Sequence, residues 1–413
     1  MELQRQIQIR KEKGMEIAKI GKVKLYGNKW AVPSQSINRY YDVILKLDKS
    51  VCSCPDYEER QIKCKHIFAV EYTVSNRINA DGSVTVTHTK RITYPQNWSA
   101  YNKSQISEQE VFMKLLAELC QEIEEPLYKF GRPQLPVKDM VFSSALKVYS
   151  TFSLRRFMSD LQTAKEKGYV NKVSSYSTVS NYMRKKELTN KLLDLITLSA
   201  MPLKTVETQF AVDSSGFRTT RFTEYCKDRH NMKDKHHEWL KVHICCGVKT
   251  NIITAVEVGL EHHSADSPHF IPLVNATYNK GFDMQEVSAD KAYNSLNNYN
   301  VVKEIGGTAY IPFKSNATGR SDRTLGSKGR VWRKMFNYFQ LNQEDFLNHY
   351  HLRSNVETTF FMIKSKFTDL IRSKDDIGQV NEALLKVLCH NIVVLIQEMN
   401  ELGIEPNFIL QGD

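Results

Sequence analysis

Acidic residues are the scarce class in this chain. Its 46 Asp and Glu face 57 Lys and Arg, giving a formal charge of +11 and a pI near 9.1. That imbalance favours a polyanionic partner, with DNA or RNA ahead of an acidic membrane. Long apolar runs are missing as well. No stretch of about 18 uncharged apolar residues occurs, so no membrane span is expected. The most apolar segment, 384–396, is broken by Lys386, His390 and Asn391. The opening residues MELQRQIQIRKEKG lack the apolar centre of a secretory leader. A cytoplasmic, reducing location is therefore expected, and it argues against a disulfide framework for the eight cysteines. No internal repeat or low-complexity tract stands out either.

What is present divides by texture. At 413 residues the chain exceeds what one hydrophobic core usually serves, so several domains are expected. Residues 1–95 open with a basic arm, eight Lys or Arg against three Glu before residue 30. Strand-like runs follow at 23–32 and 41–47, then a Cys/His cluster. A polar, turn-rich stretch around 80–105 reads as a linker. Residues 106–205 carry apolar side chains at helical spacing over 140–162 and 177–199, and are expected to form a DNA-binding helical domain. From Gln209 the period changes to strands alternating with helices, and a catalytic domain is expected over 206–400.

The segment VCSCPDYEERQIKCKHIFAV places Cys52, Cys54, Cys64 and His66 as C-x-C, nine residues, C-x-H. Residues two apart on an extended strand face the same way, so each pair can address one ion. Three thiolates and an imidazole form a tetrahedral zinc set. Four ligands leave no open coordination position, so the expected role of Zn²⁺ is structural. The apolar run after His66 reads as a helix packed over the site. This pattern resembles the SWIM zinc finger. The remaining cysteines, Cys120, Cys226, Cys245, Cys246 and Cys389, sit in apolar contexts and read as core.

Downstream the element order is three strands, helix, strand, helix, strand, helix. It begins with TQFAVDSSGF, a strand expected to end in Asp213, and includes EVSAD, a strand ending in Asp290. This is the order of an RNase H-like α/β fold: a mixed five-stranded sheet flanked by helices, here beside a helical domain and a small ββα zinc module. In that fold the first and fourth strands are neighbours, so Asp213 and Asp290 are expected side by side. Glu357, on a helix from about Phe346, can reach them. Three converging carboxylates suit two hard cations, Mg²⁺ or Mn²⁺, which prefer oxygen ligands. In HYHLRSNVETTFFMIKSKF, Tyr350, Arg353, Glu357 and Lys364 are offset by 0, 3, 7 and 14 residues. On one helix these fall within roughly 60° of each other.

The pattern Y-x2-R-x3-E-x6-K, with VDSSG and SADKAYNS, resembles DDE transposases of prokaryotic insertion sequences over residues 110–400. The resemblance implies that Asp213, Asp290 and Glu357 are metal ligands. It also implies that Tyr350, Arg353 and Lys364 contact DNA near the scissile phosphate. Expected partners are double-stranded DNA, as element terminal repeats and target, and a second copy of the chain in the DNA complex. A nucleoid-associated location follows.

The spacing of 67 residues from Asp290 to Glu357 leaves little room for a large inserted domain. Within them, 314–339 carries seven basic residues against one acid. There Trp332, Arg333 and Lys334 interleave charge with a flat ring, a combination suited to DNA. Residues 151–186 can form a helix-turn-helix, with Ser177 capping a second helix that displays Asn181, Arg184, Lys185 and Lys186. In EHHSADSPHF, Asp266 and Ser267 read as helix caps ahead of Pro268, with His263 or Asp266 near the rim of the site. Two other functions share the fold: a catalytically inactive DNA-binding regulator, and a non-transposing RNase H-like nuclease. The intact carboxylate set argues against the first, and the zinc module and basic insert against the second.

Overall fold

The computed structural model describes residues 2–20, 23–26, 29–35, 39–45, 50–60, 62–75, 97–127, 130–131, 134–219, 239–259, 266–314, 317 and 329–408. The chain forms two compact units, Met1–Pro95 and Gln96–Asp413.

In the first unit an antiparallel sheet runs in order β1 (Lys24–Tyr26), β2 (Lys29–Pro33), β3 (Tyr40–Ile44) and β4 (Val51–Cys52). β3 alternates as a half-buried strand should, with Tyr41 and Val43 inward. The basic arm is not a loose tail but a helix, α1 (Glu2–Lys19), packed on α3 (Lys65–Ser75). Two features fix it there. Gly14 lies so close to α3 that a Cβ would meet Lys65 O and Phe68 Cβ at 2.8 Å. Arg10 grips Asp56, in the short helix α2 (Pro55–Arg60), with two hydrogen bonds of 3.0 Å.

The second unit begins with helices α4 (Trp98–Gln121), α5 (Val137–Tyr149), α6 (Met158–Glu166), α7 (Tyr176–Met183) and α8 (Lys186–Ala200). The expected linker lies mostly outside the described residues, and its final part is already helix from Trp98. The run 177–199 is broken at Arg184–Lys185, and α7 is capped by Ser175, which accepts from Thr178 N at 3.2 Å, rather than by Ser177. A five-stranded sheet follows in order β7 (Ile253–Gly259), β6 (Trp239–Gly247), β5 (Gln209–Arg218), β8 (Glu286–Ala289), β9 (Thr308–Tyr310). β5 runs antiparallel to β6 and parallel to β8. The first and fourth strands of the sheet are thus neighbours, as an RNase H-like order requires.

Helices cover both faces. Adjacent residues of a strand point to opposite sides. Buried Cys245 shares hydrogen bonds with Thr277 of α9 (Ser267–Asn279), and Cys246 receives one from Thr359 of α13 (Ser354–Phe367). These two helices therefore lie on opposite faces. Between them in sequence come α10 (Leu296–Glu304), α11 (Gly329–Leu341) and α12 (Gln343–Tyr350). Cys120 and Cys389 are buried as expected, while Cys226 lies outside the described residues.

The last helix, α14 (Asp376–Glu401), is long and apolar enough to cross a membrane, but 94% of that apolar window is buried inside the protein. It packs against α4, α5, α8 and β7. One acid on it is poorly accommodated: burial, then Glu401 and Glu207, push Glu398 up from 4.5 to about 7. The folded state therefore holds this proton more tightly than the unfolded chain. The resulting stabilisation is full below pH 4.5 and is lost as pH rises through about 7. Glu398→Gln should raise the melting temperature at pH 8 by a few degrees and leave it nearly unchanged at pH 4.5, measured by calorimetry at both pH values.

Candidate zinc centre and active site

Local structure gathers the four N-terminal ligands. Cys52 ends β4, Cys54 precedes α2, Cys64 precedes α3, and His66 sits in the first turn of α3. All four are buried, and their ligand atoms lie within 4.8 Å of one another. His66 Nδ1 stands 3.9 Å from both Cys52 Sγ and Cys64 Sγ. A tetrahedron with Zn–S of about 2.3 Å and Zn–N of about 2.0 Å has edges of roughly 3.5–3.8 Å, so the set fits zinc. Thiol electrostatics point the same way. Cys54 is drawn far down because Cys52 and Cys64 donate to it, while the hydrogen bond to Cys54 drives Cys52 up. Such a shared proton load is what a cation displaces.

In the sheet unit, Asp213 lies midway along β5, which continues to Arg218 instead of ending at the acid. Val212 pairs with Ala289 across the parallel β5–β8 ladder. Asp213 and Asp290 are the next residues on each strand, and they emerge together. Asp290 starts a 3-10 turn and accepts from Lys291 N at 2.7 Å.

Glu357 reaches this point by a route the heptad-like spacing did not show. The helix expected from Phe346 is broken: α12 ends at Tyr350, a 3-10 turn spans His351–Arg353, and α13 starts at Ser354. The turn re-aims Arg353, whose guanidinium stands between two acids. It pairs with Asp213 through Nη1 and donates from Nη2 to Glu357 Oε1 at 2.6 Å. Lys364 donates to Ser215 Oγ at 2.7 Å, two residues along β5 from Asp213. Tyr350 lies below the Arg353 guanidinium, 6.0 Å from the ring centre.

Burial raises the Asp213 carboxyl, and the negative charges of Asp290 and Glu357 raise it further; Ser214 N–H at 2.8 Å and Arg353 oppose the rise. The three acids therefore share one electrostatic neighbourhood. Among the described residues, however, only the Cys/His set closes tightly enough around one point to hold an ion unaided. The all-oxygen donor set fits hard divalent cations, with Arg353 now supplying positive charge between two of the acids.

Asp266 is the N-cap residue of α9 but makes no side-chain cap bond, and Pro268 is the second helical residue rather than the first. Its carboxylate instead pairs with Lys241 and accepts from Ser214 Oγ at 3.1 Å, next to Asp213. The fully buried Tyr293 ring packs nearby, its hydroxyl raised by burial and then by the charges of Asp266 and Asp213. Lys241 and Tyr293 escaped the sequence reading. The signal was available: a lysine inside the apolar strand WLKVHICCG, and a tyrosine three residues after Asp290. His269 pairs with Glu257 at 2.7 Å and stacks on buried His243, while His262 and His263 lie outside the described residues.

In the basic insert, residues 315–316 and 318–328 are outside the described set, and the remainder is largely the helix α11. Trp332 is half-buried, edge-on to Tyr299 and Phe313 at 5.6 and 5.0 Å, whereas Arg333 and Lys334 are exposed.

Residues 204–392 match the transposase DDE domain family, and residues 41–75 match the SWIM zinc finger. A solved structure, a piggyBac transposase synaptic complex with hairpin DNA, is 10% identical with a TM-score of 0.35, over 72% of this chain and 74% of that one. A likeness that loose carries no weight on function. The two matches are similarities over separate segments: the Cys/His cluster lies within the stretch similar to the SWIM zinc finger, and Asp213, Asp290 and Glu357 lie within the stretch similar to the transposase DDE domain.

Proposed function

We propose that the protein is a DNA transposase that cuts the ends of an insertion sequence and joins them to target DNA. What carries this reading is the meeting of Asp213 and Asp290 on adjacent strands, with Glu357 delivered to Asp213 through Arg353. Asp213, Asp290 and Glu357 would hold two Mg²⁺ or Mn²⁺ ions. When bound, such ions activate the attacking oxygen and stabilise the leaving one in an in-line phosphoryl displacement.

The chain's own side chains set the strand in place. Lys364, fixed by Ser215, and Tyr350 flank the acids and hold the scissile phosphate. Arg353 has two alternatives, the Asp213 and Glu357 carboxylates or a DNA phosphate. Turning to the phosphate releases both acids. In cleavage, water attacks phosphorus and the 3′ oxygen leaves as a hydroxyl. In joining, that hydroxyl attacks a target phosphodiester and one P–O bond replaces another. Arg333 and Lys334 on α11 supply backbone contact, with Trp332 bracing that helix from below. The zinc module and the helices over 106–205 recognise the terminal repeats, and two copies of the chain pair the two ends.

The test is nicking of a labelled element end with Mg²⁺, beside Glu357→Gln. Wild type should nick only with the metal and the variant should not. Equal nicking by both proteins sinks the assignment. Because Arg353 competes for two of the acids, Arg353→Gln should bind Mn²⁺ several-fold more tightly by calorimetry while cleaving more slowly. Unchanged affinity would remove Arg353 from that role.

A further inference from the structure

A second polar cavity lies outside the acidic site, where the end of α5, the segment after α13 and the first turns of α14 meet. Its charged lining is three cations, Lys147, Arg372 and Lys386, against a single acid, Glu382. That acid is already engaged. Its two oxygens accept from Arg372 N at 3.0 and 3.1 Å, and from Ser373 N and Ser373 Oγ at 2.8 Å. Lys386 is engaged too, donating to Thr368 O at 2.7 Å and Leu370 O at 2.8 Å. Arg372 donates from Nη1 to Phe152 O at 2.9 Å.

Lys147 differs. It is 6% exposed, yet among the described residues its ammonium makes no hydrogen bond and no ion pair. Burial lowers its hold on the proton, Glu382 opposes that and Arg372 adds to it. The nitrogen itself is not sealed off, so the charge is left for the cavity, rather than a protein group, to satisfy. The cavity walls carry a second unusual feature. Thr151 and Thr368 both have positive φ, +56° and +65°. For a β-branched residue this backbone is strongly disfavoured, and it persists only where the surroundings impose it. Just beyond Thr151, Arg155 and Arg156 are exposed, extending the positive surface outward.

We propose that this cavity is a receptor for a phosphate group, with Lys147 as its principal donor and Lys386 and Arg372 supplying the surrounding field. A tetrahedral anion answers the charge pattern. It gives the bare ammonium its partner, and it balances three cations that one backbone-bound carboxylate cannot. Identifying the phosphate as part of a DNA backbone rests on the transposase reading above; the receptor itself does not.

The experiment uses full-length, zinc-loaded protein and Lys147→Met, which keeps the apolar stem. Melting is followed in inorganic phosphate and in sodium chloride of matched ionic strength. Wild type should melt several degrees higher in phosphate, and Lys147→Met should show no such gain. In chloride the variant should be about as stable as wild type, since the ammonium makes no protein hydrogen bond to lose and its stem is kept. A variant that is less stable in chloride, beside a wild type indifferent to phosphate, makes Lys147 a structural partner of Glu382 and overturns the proposal. Should Lys147→Met not fold, Lys147→Gln serves with a phosphorus-31 readout: wild type broadens the inorganic phosphate line and the variant does not. Equal broadening by both overturns the proposal.

Duplex binding across a salt series then identifies the source. Loss of about one unit of slope in log Kd against log salt, with affinity about tenfold weaker, places a DNA phosphate at Lys147. An unchanged slope with the phosphate gain lost assigns the cavity to a free phosphate or phosphorylated small molecule. Failure of the nicking test would leave the phosphate-dependent melting shift intact, so the two ideas fail separately.

Discussion

Asp213→Asn and Glu357→Gln should each lower strand cleavage by a factor on the order of a thousand or more, about 4 kcal/mol of barrier, while the protein stays folded. The two halves of this expectation come from different observations. Activity falls because each carboxylate supplies a charged oxygen that an amide lacks. Stability holds because neither acid supports the core. Asp213 is half-buried on a sheet whose packing is made by Phe210, Val212 and Phe217, and the Glu357 side chain is 61% exposed. Asp213 is also raised by burial and by two like charges, so neutralising it relieves repulsion. Cleavage assays and calorimetry on the same preparations check both. Loss of activity accompanied by a melting drop of ten degrees or more would reassign these acids to the fold.

Zinc removal should have the largest effect on stability. The core of Met1–Pro95 is small, built from residues such as Ile17, Val32, Tyr41, Val43 and Ile67 around the four ligands themselves. Structural zinc contributes roughly 10–16 kcal/mol in comparable modules, more than a core of this size supplies alone. Chelation, or Cys64→Ser, should abolish the unfolding transition of this unit and leave that of Gln96–Asp413 in place. Two unchanged transitions after the metal is stripped would mean that the cluster does not support the fold.

The sheet unit was legible in the sequence because its strands carry their own signal. Runs such as QFAVD and EVSAD are short and apolar and lead into an acid, and their order alone determines which acids are neighbours, although the first strand runs on past Asp213 to Arg218. Ligand spacing made the zinc set equally plain. The helix around Glu357 was less so. Periodicity treats 346–367 as continuous, but the 3-10 turn at His351–Arg353 depends on packing against β5 and β8, a tertiary preference that spacing does not encode. Asp before Ser-Pro is a local pattern that reads as a helix cap at Asp266. Lys241 and Ser214, distant in sequence, draw its carboxylate away. The amphipathic face of α11 was similarly hidden. Its aromatics looked available for DNA until Tyr299 and Phe313 supplied the surface they pack on.

Asn391, at the middle of α14, accepts from Ile253 N at 2.9 Å and donates to Ile253 O, to Ile196 O and to Ser199 Oγ at 2.7, 3.2 and 3.0 Å. One buried amide thus ties the last helix to an edge strand and to the helix that ends before residue 205. A cut there would strip partners from groups that no water can reach. Gln96–Asp413 is therefore a unit that cannot be divided between its helices and its sheet, whereas Met1–Pro95 is a compact unit of its own.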